Sequence, residues 1–476
     1  MQQHFKNKNS AHPIHLFKRA VHEITCTPKN SLLMRRMLLH MAWLCSCLAA
    51  TAQETFPVNG VADKRNTTIA FTGATVVKDA QTTLQNATLL VKDGKIIALG
   101  TQVAIPADAQ IVDCKQKFIY PSLVDIYSDY GIAGPQRSQA AFDFRAPAQL
   151  TSNVKGAYGW NQALKSEVDG YKLFSTDEAK AKSLREIGFG TVATHQRDGI
   201  VRGTGTVVTL QGGKENKAIL KERATHHLSF NKGTSMQSYP SSLMGSIALL
   251  RQTYLDAAWY KSNPSAEGVN ITLASFNQNQ SLPQIFDVQD RGVDLWNVMR
   301  ADRIGDEFGV QYILKATGKE YQRIQEVAGT KAPLIVTLNF PTAMDVEDPN
   351  DARLVSLADM KHWEMAPFNP AVIEKAGIPF CLTTADLRDA RSFWTNLRKA
   401  MEHGLSEKAA LEALTKTPAT LLGVFDQVGS LEVGKVANLL ITNGPLFSEK
   451  TQILHNWVQG EKFVVRDDIW SSIAGT

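Results

Sequence analysis

The fold of this chain is decided by the segment Tyr120-Pro121-Ser122-Leu123-Val124-Asp125-Ile126-Tyr127-Ser128-Asp129. Its apolar part, Leu123–Tyr127, predicts a buried strand that ends in polar residues. Further strands alternate with helix-length amphipathic segments from here to about residue 385. Such alternation predicts parallel βα units, and about eight of them over this length fit a (β/α)8 barrel. We therefore expect an α/β fold.

Six more strands of this region are predicted from short apolar runs, and they are Thr191–Thr194, Val207–Leu210, Gln284–Val288, Val310–Leu314, Leu334–Leu338 and Phe380–Thr383. Helices are predicted at Thr176–Glu186, Leu243–Tyr260 and Val293–Phe308, and a further helical run covers residues 406–422. The Asn- and Gln-rich stretch Asn277–Gln280 predicts a loop, whereas residues 212–240 follow no consistent period.

Strands are also predicted on both sides of the barrel. Before it, Ala87–Val91 and Ile96–Leu99 flank Asp93-Gly94, a dipeptide that favours tight hairpins. After it, Val428–Lys435 predicts a second hairpin and Ala437–Thr442 predicts a strand, with β-rich sequence continuing to about residue 465. Two β-rich ends therefore enclose one barrel region.

The first 52 residues have the features of an export signal. Arg35-Arg36 precedes a run of 14 mostly apolar residues, 37–50, and the small-x-small site Ala50-Thr51-Ala52 follows it. A basic region, an apolar region and a cleavage site in this order predict a signal peptide. The run is too short to cross a bilayer as a helix, so we expect cleavage near Ala52, export to the periplasm or the medium, and no transmembrane span in the mature chain. A lipoprotein signal at Cys47 is the alternative.

Charge and cysteine content exclude two classes of function, nucleic-acid binding and zinc-knuckle proteins. The whole chain has a formal charge of +5, but residues 1–52 hold seven of the 51 basic residues and one of the 46 acidic residues. The mature part therefore has 44 basic and 45 acidic residues, and nucleic-acid binding has no electrostatic support. Only Cys114 and Cys381 follow the predicted cleavage site. A single disulfide bond between them remains an alternative, whereas two cysteines so far apart in the sequence exclude a zinc knuckle.

The chain resembles the amidohydrolase superfamily, in the branch that includes imidazolonepropionase-like enzymes. The resemblance lies in segments 91–96, 105–113, 120–125, 186–192, 202–208, 417–423 and 429–440, which together span nearly the whole mature chain. It implies a (β/α)8 barrel at residues 121–422, flanked by a small β-sandwich that residues 53–120 and 423–476 build together.

The resemblance also implies a metal centre. Members of this superfamily bind one or two divalent metals such as Zn²⁺, which activate a water molecule and polarise a C–N bond. Their ligands are two His on strand 1, a His after strand 5, a His after strand 6 and an Asp after strand 8, and a carboxylated Lys sometimes bridges the metals. No equivalent of that Lys is identified in this sequence.

This chain departs from that ligand set at nearly every position. Non-histidine residues stand where the family has its histidines, and they are Tyr127 and Asp129 on strand 1, Asp287 or Gln289 on strand 5 and Lys315 on strand 6. Asp386 keeps the residue type of the strand 8 ligand and is the one candidate catalytic residue. No cofactor is therefore predicted. The alternative is a remodelled site in which the carboxylates of Asp129, Asp287 and Asp386 hold Mg²⁺, Mn²⁺ or Ca²⁺.

The remaining histidines carry weaker hypotheses. His195 ends the second strand, near the mouth of a barrel where active sites lie, although a polar strand-end residue that hydrogen-bonds a loop is the simpler interpretation. His226-His227 is a vicinal pair in a segment that predicts irregular structure, and adjacent residues seldom bind one metal together.

Two functions follow from the altered ligand positions. The first is a catalytically degenerate amidohydrolase relative, a pseudoenzyme that serves as a binding or partner module for an intact amidohydrolase encoded separately, or for a small molecule or peptide. The second is an active hydrolase of non-peptide or dipeptide-type C–N bonds that uses the remodelled carboxylates.

We expect the exported protein to begin at Gln53, because signal peptidase cuts after small-x-small sites. The intact mass of the protein recovered from the periplasm or the medium measures this. An N-terminal, lipid-modified Cys47 would contradict it and support the lipoprotein alternative.

Overall fold

The computed structural model describes residues 67–135, 147–266, 268–289 and 294–467, which form a mixed α/β structure with two sheets. The predicted α/β class is therefore confirmed. The predicted signal peptide and its cleavage site near Ala52 lie outside the described residues, as does Val293 of a predicted helix.

The first sheet combines strands from both ends of the chain. They are β1 (Ile69–Val77), β2 (Thr83–Lys92), β3 (Lys95–Gly100), β4 (Gln110–Asp113), β5 (Phe118–Pro121), β14 (Leu439–Thr442), β15 (Ile453–Val458) and β16 (Glu461–Val464). Their order is β16-β15-β14-β5-β1-β2-β3, and β4 pairs with β1. The chain ends meet where β14 runs antiparallel to β5, with Leu439 opposite Pro121.

The two hairpins predicted for this sheet have different outcomes. Asp93-Gly94 does join β2 to β3, with Lys92 opposite Lys95 and with positive φ at both turn residues. Residues 428–435 do not form a hairpin. They form a loop beside β3 instead, where Ile96 donates its N–H to the Lys435 carbonyl over 2.9 Å and accepts from the Gly434 N–H over 2.8 Å, so that β3 satisfies backbone groups that a hairpin would pair internally.

The second sheet follows the order of the sequence. Its strands are β6 (Leu123–Ser128), β7 (Phe189–Thr194), β8 (Val201–Thr209), β9 (Ile219–Ser229), β10 (Gln284–Asp287), β11 (Tyr312–Lys315), β12 (Leu334–Thr337) and β13 (Phe380–Thr383). All seven predicted strands are present, and β9 is the one that sequence analysis missed. Its first half carries charged, partly exposed residues and only its second half is buried, so it has no single period.

One strand of this sheet departs from the predicted parallel pattern. β8 runs antiparallel to both β7 and β9. Only residues 195–200 connect β7 to β8, and a parallel crossover needs about a dozen residues or more. The short connection therefore forces the chain to turn back.

Side chains link the first and last strands of this sheet. The Thr383 hydroxyl lies 2.6 Å from Asp125 Oδ1 and 3.0 Å from the Tyr127 carbonyl oxygen. Thr384 donates its backbone N–H and its hydroxyl to Asp125 Oδ2, over 3.0 and 2.6 Å. Burial raises the pKa of the Asp125 carboxyl, while these hydrogen bonds oppose that shift. Asp125 therefore joins β6 to β13 and is not available as a ligand.

Thirteen helices lie in the described residues, and they are α1 (Gly170–Leu173), α2 (Glu178–Ile187), α3 (Glu215–Ala218), α4 (Leu243–Ser262), α5 (Ile271–Asn279), α6 (Trp296–Phe308), α7 (Ile324–Gly329), α8 (Pro349–Leu354), α9 (Leu357–Met365), α10 (Asn369–Lys375), α11 (Phe393–Glu402), α12 (Glu407–Leu414) and α13 (Lys416–Leu421). The loop predicted at Asn277–Gln280 is wrong, since most of it ends α5, whose N-terminus is capped by the side chain of Asn270. The run at 406–422 divides into α12 and α13.

Two further sequence expectations concern cysteines and membrane spans. Cys114 and Cys381 are both buried and free, so the open question of a bridge between them is answered in the negative. Among the described helices, none has the length and apolar character needed to span a bilayer.

We expect Thr383→Val to lower the free energy of unfolding by about 1–3 kcal/mol, because within the described residues it leaves the buried Asp125 Oδ1 with the Tyr127 N–H as its one remaining donor. Urea denaturation measures this. Thr337→Val is the matched control, since Thr337 pairs with Thr383 in the sheet and has no side-chain hydrogen bond within the described residues. Equal losses in the two variants would contradict a specific role for the Asp125 contact.

Candidate functional site

Three of the altered ligand positions and the retained Asp386 meet at the ends of the strands. The Tyr127 hydroxyl, from β6, donates to Asp287 Oδ2 of β10 over 2.9 Å. Lys315 Nζ, at the end of β11, lies 3.6 Å from Asp287 Oδ1 and donates a hydrogen bond to Asp386 Oδ2. Asp386 itself has a φ of +63° just after β13, a conformation that Asp tolerates better than most residues. The parallel strands therefore deliver these side chains to one edge.

Two arginines complete this group, and sequence analysis identified neither as a site residue. Arg202 of β8 donates from Nη1 to Asp287 Oδ2 over 3.0 Å and to the Tyr127 hydroxyl over 2.9 Å. Arg197, in the connection before β8, donates from Nη2 to Asp386 Oδ1 over 2.9 Å. The feature that could have identified Arg202 is the short connection at residues 195–200, which allows only an antiparallel return after β7. We call Tyr127, Arg197, Arg202, Asp287, Lys315 and Asp386 the charge cluster.

Burial and neighbouring charges have opposite effects on the pKa values of the two carboxyls in this cluster. The side chains of Lys315, Asp287 and Arg202 are 0%, 5% and 6% exposed. Burial by itself would raise the pKa of Asp287, but Lys315, Arg202 and Arg197 outweigh it and hold that pKa below its usual range. The pKa of Asp386 is lowered in the same way, by Lys315 and Arg197 against burial. Both carboxyls are therefore ionised at neutral pH.

Tyr127 stays protonated in this setting. Burial, with the nearby Asp287 carboxylate, raises the pKa of its phenol above the usual value. Its ring lies 5.1 Å from the Arg197 guanidinium and 5.2 Å from Lys315 Nζ. The hydroxyl is therefore a hydrogen-bond donor to Asp287, and the ring is an apolar contact for two cations.

Asp129 and Gln289 do not enter the cluster. Asp129 is exposed, and it lines a cavity of about 300 Å³ together with Tyr127, Arg197 and Asp386 without a hydrogen bond or ion pair to them among the described residues. Gln289 contributes its backbone N–H to Asp287 Oδ1 over 3.3 Å. Of the three carboxylates of the remodelled-metal hypothesis, Asp287 and Asp386 thus meet at Lys315, whereas Asp129 shares a cavity with Asp386 but makes no ion pair with that lysine.

The histidines beneath the cluster form a stack. His195, directly after β7, lies face to face with His227 of β9, with ring centroids 3.5 Å apart, and the Tyr127 ring meets His195 edge-on at 4.7 Å. Burial is the main cause that lowers the pKa of both imidazoles, and neighbouring charges contribute less. The interpretation of His195 as a loop-bonded residue is wrong, since neither of its ring nitrogens has a hydrogen-bond partner in the described part of the chain.

The expectation of irregular structure for His226-His227 is also wrong, because both residues belong to β9. Neighbouring residues of a strand point to opposite faces. His226 accordingly bonds Gln284 Oε1 over 2.7 Å, whereas His227 bonds the Thr225 hydroxyl over 2.8 Å. The pair cannot bind one ion together.

The residues present do not fit the metal centre that the resemblance implies. A divalent ion held by Asp287 and Asp386 would have to displace Lys315 from both carboxylates, and it would face the two arginines. Within residues 67–135, 147–266, 268–289 and 294–467, no group of three or more His, Cys, Asp or Glu side chains is arranged to hold a metal ion. The donor set instead suits an internal network of ion pairs.

A cavity of about 680 Å³ opens beside the charge cluster. Arg197, Arg202, Asp287 and Gln289 line one part of it, and residues 231–236, apart from Lys232, line another. The candidate site therefore consists of saturated ion pairs at the strand ends and an adjoining polar space.

We expect Lys315→Met to lower the free energy of unfolding by about 1–3 kcal/mol, because Asp386 loses a charged hydrogen-bond donor and Asp287 a nearby cation, while each keeps one arginine partner. Adding Asp287→Asn to that variant should destabilise it further, because Arg202 then loses its carboxylate. Lys361→Met, which breaks the exposed pair with Glu364, is the control and should change stability little. Equal stabilities of Lys315→Met and the unaltered protein would contradict the cluster geometry.

Comparisons with known proteins agree on one family. A family model described as "Amidohydrolase family" matches residues 348–466. Curated imidazolonepropionases are similar: the one from Brucella anthropi is 22% identical over 75% of this chain and 87% of its own length, and the one from Maricaulis maris is 21% identical over 76% and 88%.

A solved structure, an amidohydrolase from Thermotoga maritima, has a similar fold, with a TM-score of 0.63 at 21% identity over 83% of this chain and all of its own. The recognition made from the sequence is therefore confirmed. These likenesses support an imidazolonepropionase-like member of the amidohydrolase superfamily. At the strand ends to which the resemblance assigns metal ligands, its structure has lysine, arginine and tyrosine side chains bonded to Asp287 and Asp386.

Proposed function

We propose that this protein is an exported, catalytically degenerate amidohydrolase relative that acts as a binding or partner module. The observation that carries the proposal is the Lys315 ammonium, which bonds Asp386 and lies 3.6 Å from Asp287 at the positions of the family's ligands. The module would serve an intact amidohydrolase encoded separately, or would bind a small molecule or peptide itself.

The chemistry of an ammonium supports this proposal. A divalent metal activates water by holding it in an open coordination position and lowering its pKa. Lys315 supplies a positive charge and hydrogen-bond donors, but an ammonium has no coordination position for water. Asp287 is a poor substitute as a general base, because Arg202 and Lys315 stabilise its ionised form and so weaken its affinity for a proton.

The proposed architecture is the one that the resemblance implies. Residues 121–422 would close into a (β/α)8 barrel, and residues 53–120 with 423–476 would build a β-sandwich beside it. The hydrogen bonds of Thr383 to Asp125 and Tyr127, between the first and last strands, support closure. The shared sheet of both chain ends supports the second unit. Export, by cleavage near Ala52, rests on residues 35–52 alone.

The second candidate is an active hydrolase of cyclic-amide or dipeptide-type C–N bonds. It is favoured by the curated relatives, which are imidazolonepropionases by name and match this chain over most of their length. In that case Asp287 and Asp386 would be the acid–base pair, and Lys315 would have to leave at least one of them.

Metal content and hydrolysis separate the two candidates. The purified protein, dialysed and then analysed for metals, is expected to hold well below one equivalent of Zn²⁺, Mn²⁺ or Mg²⁺. A panel of dipeptides and cyclic amides, with and without added Zn²⁺, is expected to stay intact. Asp287→Asn and Asp386→Asn are the matched controls for trace contaminants, since a contaminating enzyme would be insensitive to them.

One or two equivalents of tightly held metal would overturn the degenerate interpretation. Hydrolysis that both Asp variants abolish would overturn it as well and would establish the hydrolase.

A further inference from the structure

The cavity beside the charge cluster has an uneven charge. Of the cluster's ionisable groups, Arg197, Arg202 and Lys315 are cations, and only Asp287 and Asp386 oppose them. The remaining acid of the lining, Asp198, is neutralised separately by Lys165. The described residues therefore leave one positive charge in excess at this cavity, which favours a ligand with a single negative charge.

Arg197 and Arg202 have N–H groups without an acceptor among the described residues. Arg197 uses only Nη2, on Asp386, so within the described residues its Nε and Nη1 have no acceptor. Arg202 uses Nε and Nη1, and no acceptor for its Nη2 is found among the same residues. Both side chains line the cavity. A guanidinium with a free edge pairs with a carboxylate through two parallel hydrogen bonds.

Another part of the lining is a polar loop held in place by Asp198. Asp198 accepts hydrogen bonds from the Thr234 N–H and the Thr234 hydroxyl, over 2.7 and 2.8 Å. Gly233 packs so closely on Asp198 that a Cβ there would lie 2.0 Å from its Oδ1. The loop is therefore fixed against the acid and presents its remaining polar groups in a defined arrangement.

Ser235 is the independent sign of a ligand. Its side chain is buried, at 6% exposure, yet its hydroxyl has no hydrogen-bond partner among the described residues. Ser235 lines the 680 Å³ cavity and also a neighbouring one of about 310 Å³. Buried hydroxyls nearly always have a partner, because leaving one without a partner costs about 1–3 kcal/mol. A polar group of a bound molecule would supply it once the Ser235 side chain rotates toward the cavity, because the hydroxyl oxygen is closed to solvent in this structure.

We infer that this cavity binds a small organic monoanion, whose carboxylate pairs with the free edge of Arg197 beside Arg202 and whose second polar group bonds the Ser235 hydroxyl. The volume suits a molecule of about dipeptide size, and the half-exposed Met236 offers an apolar surface at the lining. This inference deepens the proposed binding role, on which it rests, by naming the ligand class.

The test compares a carboxylate with its neutral amide. N-acetyl-L-alanine and N-acetyl-L-alaninamide are titrated into the purified protein and followed by ligand-observed NMR, which reports binding and any hydrolysis of the amide in the same spectra. The carboxylate is expected to bind at least about tenfold more tightly than the amide, and added salt is expected to weaken it.

Variants locate the site. Arg197→Gln is expected to weaken carboxylate binding by about tenfold or more, which corresponds to the loss of a charge-assisted pair. Met236→Trp, at a half-exposed position, is expected to weaken it by filling the cavity while leaving Arg197 and Asp386 paired. Arg391→Gln is the matched control, since it removes an arginine from an exposed pair with Asp389, neither of which lines the cavity, and it should leave binding unchanged.

Three results would overturn the inference: no binding of N-acetyl-L-alanine, equal binding of the amide, or binding that Met236→Trp does not affect. The proposed non-catalytic function fails separately, by hydrolysis of the amide or tight metal. Selective carboxylate binding together with hydrolysis of the amide would support the inferred monoanion ligand and contradict the proposed non-catalytic function.

Discussion

A fully buried lysine ammonium requires negative partners, and this requirement organises the strand ends of the protein. Lys315 is 0% exposed, and its Nζ bonds Asp386 and approaches Asp287. Removing an ammonium from water costs several kcal/mol unless close carboxylates compensate it. The two carboxylates must in turn stay ionised. Arg202 and Arg197 secure this, because each adds an ion pair to one of them.

The same network determines what the site is suited to do. In the family, strand-end ligands hold an ion that has an open position for water or substrate. Here the positive charges are covalently part of the chain, and three of them face the two carboxylates of Asp287 and Asp386, so the cluster is a fixed electrostatic element with one positive charge in excess. Its unused capacity lies at the outer edges of Arg197 and Arg202, which line the adjoining cavity. That arrangement suits recognition of an anion better than activation of water.

The antiparallel direction of β8 brings to this site a residue that the predicted parallel pattern does not place there. Its short connection to β7 brings Arg202 back across the sheet to Asp287 and Tyr127. In the sequence, Arg202 is only the first residue of the glycine-rich stretch 202–208. The stacking of His195 on His227 depends on the same turn, because β8 separates β7 from β9 in the sheet order.

The sequence alone determined the family, the α/β class and the strand positions at Tyr127, Asp287, Lys315 and Asp386, because apolar periodicity and local motifs are properties of neighbouring residues. It also identified the Asp93-Gly94 turn, whose positive φ angles depend only on local backbone preferences. Tertiary structure decided which of Asp287 and Gln289 enters the cluster, that Asp129 stays outside it, and that two arginines neutralise the carboxylates. The two arginine pairs join residues 85 and 189 positions apart, and their geometry depends on strand direction, side-chain orientation and burial, which no local pattern encodes.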